Sequence, residues 1–343
     1  VSKGRVNPHF SPKRTGPEQE SAEALFAGIQ AGSMPHLARA ISMIESELPR
    51  HREVADSLIK LALPHSGNAF RLGISGIPGA GKSTLIENLG GRLLADYSKL
   101  AVLAVDPSSR KTGGSILGDK TRMELLSRNP RAYIRPSPAG TTLGGVARAT
   151  REAMLLCEAA GYDLLIVETV GVGQSEIAVH GMCDLFVMVA IPGAGDELQG
   201  IKRGITEMAD LILINKADGE LREKANLAAR QLRNAMHLFP PHPYGLIPEV
   251  ITCSALEGNG MELVVEKLAD FRSQLQDSGG IDARRADQRK QWMQEALQGL
   301  WETHFFKQEA LSELYKIVSL EVEEGRVHPY KAAQTLWERF LKG

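Results

Sequence analysis

Gly76-Ile77-Pro78-Gly79-Ala80-Gly81-Lys82-Ser83 decides how the rest of this chain is read. The octet fits G-x-x-x-x-G-K-[ST], and its surroundings matter more than the match. An apolar, strand-like run, Leu72-Gly73-Ile74-Ser75, leads in, and a helical pattern with Leu85, Ile86 and Leu89 on one side leads out. Glycines here let successive backbone N–H groups curl toward one phosphate, and the helix N-terminus adds partial positive charge. The spacing predicts Gly79, Ala80, Gly81, Ser83 and the adjoining Thr84 around the phosphates. It also predicts Lys82 reaching the β- and γ-phosphates and the Ser83 hydroxyl on Mg2+.

Outward from this loop, short apolar runs at 71–77, 101–105, 133–135, 163–167, 185–191, 211–214 and 250–252 alternate with helical stretches. Several are almost continuously apolar, as strands covered on both faces must be. The expected fold is therefore α/β, a P-loop NTPase with a mostly parallel, doubly wound sheet. Helices flank it on both sides in sequence. Ala24, Ile29, Leu37, Ile41, Ile44, Leu58 and Leu61 recur at threes and fours before the loop. After Gly279-Gly280 the helical pattern returns and carries all three tryptophans, Trp292, Trp301 and Trp337. Aromatics on a helical appendage need a cover, either the core domain or a second copy of the chain; a dimerisation arm is the expectation. The division expected is 1–17 as a flexible N-terminus, 18–66 as a helical extension, 67–279 as the P-loop domain and 280–343 as the arm.

The 343 residues are 43% hydrophobic and 24% charged, with a formal net charge of -1. That is the make-up of a globular protein with a sizeable core, and the charge gives no footprint for nucleic acid or an anionic membrane. No apolar stretch approaches the roughly 20 residues needed to span a bilayer. Cys157, Cys183 and Cys253 lie scattered in apolar stretches and read as buried, reduced thiols. The basic start (Lys3, Arg5, Lys13, Arg14) lacks the apolar core of a secretory signal. A cytoplasmic location is expected, or the mitochondrial matrix for a eukaryotic source.

The buried-strand run Leu211-Ile212-Leu213-Ile214 ends in Asn215-Lys216-Ala217-Asp218. An N-K-x-D tetrad at this distance after a P-loop points to guanine. Asp218 can accept from guanine N1–H and N2–H2, a donor pair adenine does not present. The Lys216 stem would pack on the purine face, and Asn215 would tie the loop to neighbouring backbone. Further on, Ser254-Ala255, followed by Leu256, ends another strand and supplies a second base-contact loop. A carboxylate buried against a base should reject one lacking its donors by as much as ~10⁴–10⁵. GTP and GDP, with Mg2+, are the expected ligands.

The strand 164–167 runs into Glu168-Thr169-Val170-Gly171. Most GTPases place Asp at the first of these positions and a Gly, whose N–H meets the γ-phosphate, shortly after. Glu168 is one methylene longer and is expected to approach Mg2+, through a water if need be. Asp106 and Asp119 sit at strand or loop ends and are further metal candidates. Asp119 has a second reading as a helix cap, since 120–124 resembles a helix start. Val172 stands where small GTPases carry a water-orienting glutamine, which predicts slow intrinsic hydrolysis completed from elsewhere. Gln174 and Lys202 are the candidates within the chain. The polar loop 195–202 that carries Lys202 reads either as a simple connection or as a switch.

These residues together resemble the methylmalonyl-CoA mutase-associated GTPases, the MeaB/ArgK type that includes the human cobalamin-A-type protein, within the P-loop metallochaperone GTPases. The resemblance rests on long strings: Val105-Asp106-Pro107-Ser108-Ser109, 113–123, Val167-Glu168-Thr169-Val170-Gly171-Val172-Gly173-Gln174-Ser175-Glu176, and 195–202. It implies a homodimer held by the C-terminal arm. It implies Asp106, Asp119 and Glu168 in the metal and switch region, and Lys202 in a third switch loop. The implied role is to bind an adenosylcobalamin-dependent acyl-CoA mutase, gate its cofactor loading and protect it from inactivation. Two other functions remain open. A nickel-delivery GTPase would usually show His-rich or Cys/His metal sites, whereas the nine histidines here are dispersed. A kinase linked to amino-acid transport would need an acceptor site that no motif identifies.

Overall fold

The computed structural model describes residues 20–46, 48–105, 123–136, 143–169, 175–192, 203–236 and 244–341. The chain divides into two compact units, Val1–Ile281 and Asp282–Gly343.

The first unit is built on seven strands: β1 (Phe70–Gly76), β2 (Leu100–Val105), β3 (Ala132–Arg135), β4 (Leu164–Thr169), β5 (Leu185–Ala190), β6 (Leu211–Ile214) and β7 (Glu249–Thr252). They lie in the order β3-β2-β4-β1-β5-β6-β7. Every strand pairing is parallel. The chain fills the sheet on one side of β1 and then on the other. The crevice at the carboxyl end of β1 is therefore where such a sheet receives a ligand.

Around the sheet run α1 (Ala22–Gln30), α2 (Met34–Glu45), α3 (Pro49–Ala62), α4 (Lys82–Leu93), α5 (Glu124–Arg128), α6 (Leu143–Ala159), α7 (Ser175–His180), α8 (Arg203–Met208), α9 (Arg222–Met236) and α10 (Met261–Asp277). One face of the sheet presents Phe70, Leu72, Ile74, Leu164, Ile166, Leu211, Leu213 and Ile251. These pack against Leu85, Ile86 and Leu89 of α4 and Val264, Leu268 and Phe271 of α10. Alternation along each strand carries this face forward in steps of two residues. At the carboxyl edge it turns from apolar to polar in one step, from Leu164 and Ile166 to Glu168, and from Leu211 and Leu213 to Asn215. That step converts core into site.

The opposite edge is closed by aspartates standing just before strands. Asp163 accepts from the Ser98 and Lys99 amides, each at 2.8 Å. Asp184 accepts from the Arg71 amide at 2.8 Å and Asp210 from the Phe186 amide at 2.7 Å. Each satisfies an N–H that a strand leaves unpaired where it enters the sheet. On the second face Arg71 reaches across to Glu158 at the end of α6, Nε to Oε1 at 2.7 Å, with both side chains nearly inaccessible to water.

The N-terminal helices belong to this unit and pack on α6. Ser21 caps α1 by accepting from the Ala24 amide. Pro35 and Pro49 lie in the first turns of α2 and α3, where a missing N–H costs nothing. The Arg135 guanidinium at the end of β3 donates to Glu45 (3.0 Å) and Ser42 (3.1 Å), pinning α2 to the sheet. Cys157, Cys183 and Cys253 are all buried and unbridged.

The second unit is helical: most of α11 (Gly280–Lys307), then α12 (Glu309–Glu323) and α13 (Pro329–Leu341). Within it the Trp301 and Trp337 rings stack at 5.3 Å, with Phe340 tilted beside them. The two indoles are still 51% and 40% exposed, so they cover each other only in part. No helix among the described residues is long and apolar enough to cross a membrane.

Candidate functional site

Gly76 closes β1 with φ of 152°, and a Cβ there would lie 2.2 Å from the Val189 carbonyl oxygen. Glycine is required because the loop departs directly against β5. Gly79 and Gly81 have φ of 79° and 88°, a left-handed conformation that side chains resist. Gly81 also stands so close to Asn215 that a Cβ would meet its Nδ2 at 2.6 Å. The loop then feeds α4, whose first residues are Lys82 and Ser83. The Lys82 ammonium, brought under the loop, donates to the carbonyls of Gly76 (2.7 Å) and Ile77 (3.3 Å). A cation poised inside a ring of backbone is the arrangement an oligophosphate needs.

Glu168 is 4% exposed and projects on the α4 face of the sheet, where the Ser83 hydroxyl donates to its Oε1 at 3.3 Å. A hydroxyl and a carboxylate side by side at a phosphate loop fit a partial shell for Mg2+, which takes the rest of its six oxygens from phosphate and water. Behind them, Ser75 and Thr169 share a buried hydroxyl–hydroxyl bond of 3.0 Å that locks β1 to β4.

Asn215 joins three segments. Its Nδ2 donates to the Ala80 carbonyl of the phosphate loop at 2.8 Å. Its Oδ1 accepts from the Ala255 amide at 2.9 Å. Its own backbone N–H continues the ladder to Ala190 at 2.8 Å. Lys216 takes φ of 60°, the described non-glycine residue with positive φ, and this turns the chain so that Asp218 comes back toward Ser254. The Ser254 hydroxyl donates to the Asp218 carboxylate and accepts from the Glu257 amide at 3.1 Å. Leu256 is 83% exposed at the lip of this loop. Beneath it, burial pushes the Cys253 thiol up to about 12, so it stands as a neutral, inert neighbour of Asn215.

The structure thus gathers Gly79, Ala80, Gly81, Lys82, Ser83 and Thr84 with Glu168 on one side. It gathers Asn215, Lys216, Asp218, Ser254, Ala255 and Leu256 on the other. Asp106, Asp119, Gly171, Gln174 and Lys202 lie outside the described residues. The described chain resumes after the first two at Met123, the N-cap of α5, whose Leu125 and Leu126 amides are held by Glu87 of α4. Sequence reading missed Thr169, Glu87 and Asn88, which donates to the Ala255 carbonyl at 3.2 Å. Polar residues on an amphipathic helix look like solvated ones, so no local pattern marked the last two.

A parallel sheet with this loop after its central strand defines a P-loop nucleoside triphosphatase. The family model described as "Methylmalonyl Co-A mutase-associated GTPase MeaB" matches residues 37–310. A putative GTPase of Caulobacter vibrioides is 49% identical over 318 residues, 93% of this chain and 97% of its own. The mouse "Methylmalonic aciduria type A homolog, mitochondrial" is 44% identical, over 94% of this chain and 80% of its own. A crystal structure titled "LAO/AO transport system kinase" superposes with a TM-score of 0.76 at 35% identity, covering 95% of this chain and 99% of that one. The chain belongs to the methylmalonyl-CoA mutase-associated GTPase (MeaB) family and is a GTPase.

Proposed function

We propose that this GTPase serves an adenosylcobalamin-dependent acyl-CoA mutase of the methylmalonyl-CoA mutase type, gating the loading of its cofactor and protecting it from inactivation. The family description and the name of the mouse relative support this client. The guanine reading is carried by one observation: Asn215 ties the phosphate loop to both loops expected to hold the base.

In this reading the 79–83 amides and the Lys82 ammonium bind the β- and γ-phosphates and offset charge as the γ-phosphoryl group departs. Ser83 and Glu168 would hold Mg2+, which would supply neutralisation of phosphate charge, and Asp106 and Asp119 are the further candidates for the metal and switch region. Gly171, outside the described residues, is the candidate whose N–H would meet the γ-phosphate. Asp218, steadied by Ser254, accepts from the guanine N1–H and N2–H2, and the Lys216 stem covers the ring. Val172 cannot orient the attacking water, so hydrolysis is slow until Gln174, Lys202 or the client supplies that function. The helical unit joins two chains in a homodimer. The setting is a reducing aqueous compartment, the bacterial cytoplasm or the mitochondrial matrix.

Steady-state GTP hydrolysis, measured alone and with purified mutase titrated in, tests the proposal. A slow basal rate that rises saturably with mutase is expected. A rate indifferent to mutase would remove the client. Phosphate appearing covalently on a protein or small molecule, in place of free phosphate, would favour the transport-kinase reading instead.

A further inference from the structure

The Ala255 peptide unit is held from both sides by asparagines. Its N–H donates to Asn215, and its C=O accepts from Nδ2 of Asn88, two turns along α4 from Lys82. Asn88 is itself oriented, because its Oδ1 accepts from Nε of Arg92 at 2.7 Å. Arg92 in turn pairs with Glu262 in the first turn of α10, the helix that follows the base loop. The loop between is internally closed by Gly258 N–H to the Ser254 carbonyl (2.8 Å) and Ser254 N–H to the Asn259 carbonyl (2.9 Å). These two bonds tie the start of the loop to its end. Gly258 has φ of 83°, and a Cβ there would come within 3.2 Å of Arg92 Nη2, so the loop lies directly against the guanidinium.

We propose that Asn88, set by Arg92, is a positioning residue for base recognition. It fixes the distance between the helix that begins at the phosphate loop and the Ser254-Ala255-Leu256 loop. Through Ser254, it also fixes the position of the Asp218 carboxylate. Phosphate grip and base reading are then parts of one rigid gauge, and a nucleotide must satisfy both at a set separation. The proposal deepens the guanine reading and rests on it.

The geometry makes a prediction that a merely stabilising helix residue would not. Asn88→Ala removes the donor to the Ala255 carbonyl. Asn88→Asp keeps an acceptor for Arg92 but turns a carboxylate oxygen toward that carbonyl, which pushes the loop away. Calorimetric Kd values for GDP and IDP, which lacks the 2-amino group, should show the preference for GDP falling about tenfold in N88A, the worth of one well-placed hydrogen bond. It should fall further in N88D, with thermal unfolding of the nucleotide-free protein little changed. Asn88→Gln, which restores donor and acceptor, should recover part of the preference. Asp218→Asn is the control for the underlying reading. If D218N alters base preference while N88A and N88D leave it as in the parent, the gauge is refuted and the base site stands. If D218N also leaves it unchanged, the guanine assignment itself fails. Equal losses in N88A and N88D, tracking a drop in melting temperature, would reduce Asn88 to a structural residue and overturn the proposal.

Discussion

Lys82 is held within its own loop by two carbonyls. A phosphate competes for a cation already in place, so little ordering is left to be done at binding. Lys82→Ala is expected to abolish tight GTP binding in calorimetry while leaving the fold intact by circular dichroism; unchanged affinity would remove the loop from the site. Asp218→Asn should shift preference from guanine toward xanthine, because an amide can donate to xanthine O2, and competition between GDP and XDP reads this directly. Both residues were legible in the sequence, because G-x-x-x-x-G-K-[ST] and N-K-x-D state a chemistry in residues close together in the chain. Glu168 was legible as an acid at a strand end. That it would meet Ser83 depended on the parallel register Ile74↔Glu168, which is a property of the sheet. Asn88 and Glu87 carried no local signal for these roles, because the groups they hold across the fold, the Ala255 carbonyl and the Leu125 amide, lie 167 and 38 residues away.

At the scale of elements, the strands were readable because a strand covered on both faces must be apolar almost throughout, as in Leu100–Val105 and Leu185–Ala190. Their order in the sheet was not, nor were the long-range ion pairs that bind helices to it. Arg71 and Glu158 look in sequence like two ordinary charges; in the fold they are a buried pair joining β1 to α6. Removing one partner leaves a desolvated charge, so Glu158→Ala should cost ~3–5 kcal/mol in urea unfolding. Glu124→Ala, which breaks the exposed pair with Arg128, should cost less than about 1 kcal/mol. Comparable losses in the two variants would refute the difference drawn from burial.

For the whole molecule, the separation at 281/282 predicts that the nucleotide site does not need the helical unit. A chain ending at Ile281 should bind GDP with an affinity within about threefold of the parent, well under the tenfold that 1.4 kcal/mol represents. It should run as a monomer in light scattering if the exposed Met293, Leu297 and Leu300 of α11 are covered by a second copy. A truncated chain that remains dimeric would place the interface elsewhere. A truncated chain that no longer binds GDP would show that the two units are one functional body.

The division also sorts the chromophores. Every tryptophan, Trp292, Trp301 and Trp337, lies in the helical unit, and the nucleotide-binding unit has none. Two of them stack at 5.3 Å with an interplanar angle of 11°, close enough for their electronic transitions to couple. Intrinsic indole emission and the exciton signal in circular dichroism therefore arise from the helical unit alone. A change in either on adding GTP would register an effect at the indoles of the helical unit, readable in an unlabelled protein in a fluorimeter.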